Sequence, residues 1–102
     1  MVGKKRFKVI WTEAAVTQLK EIYRYIKKDS ETAAKHVKEK ILESTKILGI
    51  NSDVYQSDIL KDNNKGNYRA YTVFSYRISY KIENDFIYIL RVRHTSREPL
   101  VH

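Results

Sequence analysis

The stretch from Thr12 to Gly49, TEAAVTQLKEIYRYIKKDSETAAKHVKEKILESTKILG, decides the fold. Ala15, Leu19, Ile22 and Ile26 recur at spacings of four, three and four, and Val16 and Tyr23 widen the stripe. That period predicts an amphipathic helix of roughly four turns. Thr12 stands where an N-cap belongs, Glu13 complements the helix dipole, and Lys27-Lys28 marks the end. Asp29-Ser30 supplies the next cap. Ala34, Val37, Ile41, Thr45 and Leu48 then continue the stripe on a second helix, for which Gly49 is expected to be a left-handed terminator. A link this short makes the pair an antiparallel hairpin. Each stripe needs an apolar surface to lie on.

The flanking sequence provides one. Upstream, Phe7–Trp11 reads as a short strand after the basic lead-in Lys4-Lys5-Arg6. Downstream, residues 50–67 are polar and turn-rich, and are expected to form an ordered loop with a mobile end. Three β-rich runs come next: Tyr68–Val73, Tyr76–Ile82 and Phe86–Arg93. Phe74-Ser75 and Glu83-Asn84-Asp85 provide the turns between them. The expected fold is therefore α+β, in the order β-α-α-β-β-β, with the helical hairpin on one face of a mostly antiparallel sheet. Leu19, Ile22, Ile26, Val37, Ile41 and Leu48 are the expected core of the helical layer. A chain of 102 residues is expected to form one domain, 1–102.

Composition narrows the chemistry. There is no cysteine, which removes disulfides, thiolate metal sites and cysteine nucleophiles, and makes a reducing cytoplasm the default location. No apolar run approaches the ~18 residues of a membrane span, and no leader pattern precedes Phe7. The three histidines, His36, His94 and His102, form no ligand cluster, and the three glycines form no phosphate loop. No metal or other cofactor is expected.

Twenty Lys+Arg against twelve Asp+Glu give a formal charge of +8, which favours a polyanion or an acidic protein as partner. Five of the seven arginines (Arg69, Arg77, Arg91, Arg93 and Arg97) and five of the eight tyrosines lie in residues 68–102, marking that third as the working surface. Alternation puts Ile78, Tyr80 and Ile82 on one side of their strand and Arg77, Ser79 and Lys81 on the other. In the last run Arg91 and Arg93 share one side, and Leu90, Val92 and His94 the opposite one. Cations inside strands are tolerated on a face open to water or ligand, so a basic open face is expected. Arg77 fits such a face, or an ion pair with Glu83 or Asp85. His94 fits a backbone hydrogen bond at a strand end equally well as an acid–base role in metal-free RNA cleavage.

Three segments are similar to the RelE/ParE family of toxins, also known as plasmid stabilisation proteins. They are Lys8-Val9-Ile10-Trp11-Thr12-Glu13-Ala14-Ala15 with Leu19–Ile26, Ser75-Tyr76-Arg77-Ile78-Ser79-Tyr80-Lys81-Ile82, and Tyr88-Ile89-Leu90-Arg91-Val92-Arg93-His94-Thr95-Ser96-Arg97-Glu98-Pro99. The resemblance spans nearly the whole chain in the right order. It implies the toxin half of a bacterial type II toxin–antitoxin pair, blocked by a cognate antitoxin in a hetero-oligomer. RelE-like members cut messenger RNA on the ribosome, whereas ParE-like members inhibit DNA gyrase without a nuclease site. Arg77 matches the strand arginine that the nucleases use on the scissile phosphate, and His94 the place of a histidine acid–base in some of them. Against cleavage, the tail Pro99-Leu100-Val101-His102 lacks the tyrosine that the nucleases generally use. The long hairpin, with Glu21-Ile22-Tyr23 and Tyr25-Ile26, is more ParE-like. The resemblance therefore leans to a gyrase inhibitor, with a ribosome-dependent endonuclease or an inactivated module acting only in operon autoregulation as alternatives.

Overall fold

The computed structural model describes residues 7–50 and 67–97. The lead-in, most of the loop after the helices, and the tail beyond Arg97 lie outside the described residues. The elements are β1 (Lys8–Trp11), α1 (Glu13–Lys27), α2 (Glu31–Leu48), β2 (Tyr68–Val73), β3 (Tyr76–Glu83) and β4 (Phe86–His94), closed by a 3₁₀ turn at Thr95–Arg97. The strands form one sheet in the order β1-β4-β3-β2. The β2–β3 and β3–β4 pairs are antiparallel, while β1 lies parallel to β4. The helical hairpin covers one face, as its stripes require.

Local chemistry accounts for the helix ends. The Thr12 side chain accepts the Ala15 N–H at 3.3 Å, and Ser30 Oγ accepts the Ala33 N–H at 3.0 Å. Thr12 also ties helix to sheet, for its hydroxyl and its backbone N–H both donate to the Ile89 carbonyl, at 2.7 and 3.1 Å. The start of α1 is thereby pinned to β4.

Gly49 does not end α2 in the expected left-handed conformation; its φ is −62°. Glycine serves there because the chain passes close by. The Phe7 N–H donates to the Gly49 carbonyl at 2.8 Å, and a Cβ on Gly49 would meet the Phe7 carbonyl oxygen at 3.0 Å. Gly49→Ala should therefore lower unfolding stability by about 1–3 kcal/mol, read as a lower urea midpoint at constant slope.

The core joins Ala15 and Leu19 of α1, Ile41 and Leu48 of α2, and Tyr71, Tyr76, Ile78, Tyr80, Ile87, Ile89 and Val92 of the sheet. Of the six helical positions expected inside, Leu19, Ile41 and Leu48 are buried, while Ile22, Ile26 and Val37 are half-buried against that core. Tyr80 is fully enclosed, edge-on to Tyr71 with ring centroids 6.0 Å apart.

One irregularity decides which side chains reach the open face. Ser79 pairs with Arg91 but Tyr80 pairs with Ile89, so Leu90 is an extra residue, a β-bulge. Ile87 and Ile89 face the core, and unbroken alternation would send Arg91 and Arg93 in after them. The bulge reverses the alternation. Val92 goes inside, and both arginines come out on the open face. Leu90, expected to share a side with Val92 and His94, is instead the residue at which the sides exchange.

Candidate functional site

The register sorts the expected site residues by face, because directly opposed residues on paired strands point the same way. Arg77 opposes Arg93, and Ser79 opposes Arg91, so the three arginines occupy two neighbouring rungs of the open face. Like charges opposed in this way repel. Arg91 is exposed and Arg93 half-buried. Neither makes an ion pair with another described residue.

The opposite half of that face is aromatic. Lys81 Nζ lies 5.9 Å from the centre of the Tyr68 ring and 5.8 Å from that of Tyr88, and meets Glu83 Oε1 at 3.1 Å. The hydrogen bond and charge of Glu83 raise the Lys81 pKa above its ordinary value. Lys81 is thus engaged within the protein. Arg91 and Arg93 carry charge on this face without an ion pair to another described residue.

Arg69 and His94 stand elsewhere. Arg69 opposes Tyr80 and shares the helix-covered face, so it is not part of the open basic surface expected from sequence. His94 opposes Tyr76, also on the helix side, with the two rings edge-to-face at 5.2 Å. Arg77 and His94 therefore project from opposite faces and do not converge on one point. Arg97 lies in the 3₁₀ turn after β4.

The surroundings of His94 limit its chemistry. Its Nδ1 accepts the Ser96 N–H at 3.1 Å and lies 2.7 Å from Ser96 Oγ. An amide can only donate, so these partners assign the neutral ring's proton to Nε2. In that tautomer Nδ1 is the acceptor and Nε2 the donor. The backbone hydrogen bond expected of a histidine at a strand end is present.

His94 lines a groove of about 700 Å³ between α1 and the end of the sheet. Its floor is Ile22, Tyr76 and Val92, and its walls carry Arg24, Lys28 and Arg93 against the single acid Glu21 among the described residues. Gln18 closes one end, its Oε1 accepting the Val92 N–H at 2.8 Å, a bond needed because β1 stops short and leaves this edge of β4 without a strand partner. Tyr25, 63% exposed, overhangs the groove. Sequence reading named Arg93 and His94 here but not Arg24, Lys28 or Tyr25. Their spacings of three and four along α1 carried that signal. Among the described residues no helix is long and apolar enough to cross a membrane.

Comparisons with known proteins agree with this architecture. A family model described as the ParE toxin of the type II toxin-antitoxin system parDE matches residues 9–99. Among solved structures, the chain resembles one of the chromosomal ParDE TA system from P. aeruginosa, with TM-score 0.72 and 19% identity over 89% of this chain and 98% of that one. It also resembles the YoeB dimer from Staphylococcus aureus, with TM-score 0.57 and 20% identity over 87% and 97%. No match was found among curated protein sequences.

Proposed function

The chain belongs to the ParE toxin family of type II toxin–antitoxin systems, and from that premise we propose that it is a growth-inhibiting toxin that binds DNA gyrase and cuts no RNA. The observation that carries this choice is the separation of Arg77 from His94 by the plane of the sheet. Metal-free RNA cleavage needs a base, an acid and a cation around one phosphate. Here the strand arginine faces one way and the histidine the other. Arg91 and Arg93, neither ion-paired with another described residue, support an anionic surface as the partner, since a guanidinium fork fits carboxylate or phosphate.

In this reading a cognate antitoxin with an acidic, amphipathic segment holds the toxin silent as a hetero-oligomer in the cytoplasm. The groove beside α1 suits such a segment, with apolar residues on its floor and cations on its rim. The test is induction of the toxin without its antitoxin. Growth should stop, purified protein should block gyrase supercoiling, and ribosome-bound messenger should stay intact in primer extension. Clean cleavage fragments in the ribosomal A site would replace this reading with the endonuclease one. Undisturbed growth at high expression would favour a module confined to operon autoregulation.

A further inference from the structure

The last strand outruns its neighbour. β1 stays beside β4 only from Lys8, opposite Phe86, to Trp11, opposite Ile89. Thr12 then takes the Ile89 carbonyl with both its N–H and its hydroxyl, and the chain leaves the sheet as α1. Among the described residues no strand lies on that side of β4 from Leu90 to His94. Such an edge presents main-chain groups with which a further strand can pair. Here a side chain occupies one of them. The Val92 N–H donates to Gln18 Oε1 at 2.8 Å, where the carbonyl of a neighbouring strand would accept it.

The groove beside α1 runs along this edge, as its lining shows. Tyr76 and His94 oppose each other on the helix-covered side, Val92 is buried in the core, and Arg93 stands on the open face. All four line the one groove. A groove lined from both faces of a sheet follows the edge between them. A strand laid there sends alternate side chains to the two faces. Those level with Val92 enter the apolar floor of Ile22 and Tyr76, and their neighbours come out beside Arg93. Arg24 and Lys28, against Glu21 alone, make the walls cationic. The edge therefore fits a segment that is apolar on one side and acidic on the other, with a period of two.

We propose that the antitoxin binds as an added strand on β4, through an extended segment of alternating acidic and apolar residues, and that Gln18 is a placeholder which its backbone displaces. Main-chain pairing supplies the affinity and the alternation the specificity. A helix, whose backbone groups are already paired within it, has no use for this edge. The inference rests on the reading of the groove as the antitoxin's seat.

The probe is a synthetic peptide of alternating glutamate and valine, titrated into the purified protein beside one of the same composition with its glutamates and valines in two blocks. The alternating peptide should bind about tenfold or more tightly than the block peptide. Gln18→Ala should tighten its binding about three- to tenfold, because no hydrogen bond has to be given up first. Gln18→Glu should weaken it about tenfold or more, since a carboxylate accepts the same N–H more strongly and repels acidic side chains. The cognate antitoxin should follow the same order. A variant that merely unfolds weakens binding, so opposite signs for the two substitutions are the mark of a placeholder. Equal binding of the two peptides would mean that the groove reads charge alone, and unchanged or weaker binding by Gln18→Ala would mean that Gln18 is structural. A dimer strengthened by Gln18→Ala in the absence of peptide would give the edge to a second copy of the chain. Each of these outcomes overturns the proposal. An antitoxin that fails to bind the intact protein would overturn the assignment of the groove to an antitoxin, whereas the peptide pair still decides whether the edge takes a strand.

Discussion

Ile41→Ala should destabilise the protein by about 2–5 kcal/mol, the largest stability effect expected of a single helical substitution here. Ile41 is fully buried at the middle of α2, within the cluster of Leu19, Leu48 and Tyr80. Truncation removes three carbons from water-free surroundings and leaves a void that the tyrosines, held by their ring contact and by the 2.8 Å bond between Ser44 Oγ and the Tyr71 hydroxyl, are poorly placed to fill. Native domains of this size are stable by only about 5–15 kcal/mol, so a substantial share of the total is at stake. Ile47, 49% exposed on the same helix, provides the control: Ile47→Ala should change stability by about 0.5 kcal/mol or less. Urea unfolding of the two variants checks the pair. Equal losses would mean that α2 does not present the face described.

The largest functional effect is expected from Arg77→Ala combined with Arg93→Ala. Each arginine brings a fixed charge and a planar fork that matches carboxylate or phosphate. Removing both should reduce growth-arrest potency about 10–100-fold, chiefly through slower association with the target. The fold should survive, because both side chains lie on the open face of the β3–β4 pair and not in the core. His94→Ala should cost much less than the double arginine variant. A nuclease using His94 would instead lose about 10²–10⁴ in cleavage rate on that change, with ribosome binding kept. Growth curves after induction, beside thermal melts of the purified variants, separate these outcomes. Full potency in the double variant would remove the open face from the working site.

Much of this architecture was legible in the sequence, for reasons that differ by element. The helices were readable because stripe and cap are local. Thr12 and Ser30 cap the helices they precede, and every residue of both stripes lies within 38 positions. Strand limits were readable from turn residues and alternation, and all three later strands match to within a residue. The parallel pairing of β1 with β4 was not, since it joins residues almost eighty positions apart and nothing local encodes it. The reason for Gly49 was hidden in the same way. Its constraint is the carbonyl of Phe7, brought near by the fold, and not its own φ.

The site was less legible than the fold, because a site depends on faces as well as positions. Arg69 and Arg77 look alike in sequence, yet one opposes Tyr80 on the covered face and the other opposes Arg93 on the open one. The groove beside α1 takes its walls from residues spaced along a helix and from the ends of two strands. Counting cations by segment could not assemble it.

Leu90 gives the last strand two phases. Before it, odd-numbered residues build the interior; after it, odd-numbered residues line the open face. Core and open face are thus written on one strand in opposite frames, and the length of the segment is as informative as its letters. Losing one residue there would change no other side chain, yet it would bring guanidinium groups to the places that apolar side chains hold. Substitutions along β4 are therefore graded by chemistry, whereas a change in its count acts on every residue beyond it at once. In this strand a spacing carries the distinction between what holds the molecule together and what it offers to others.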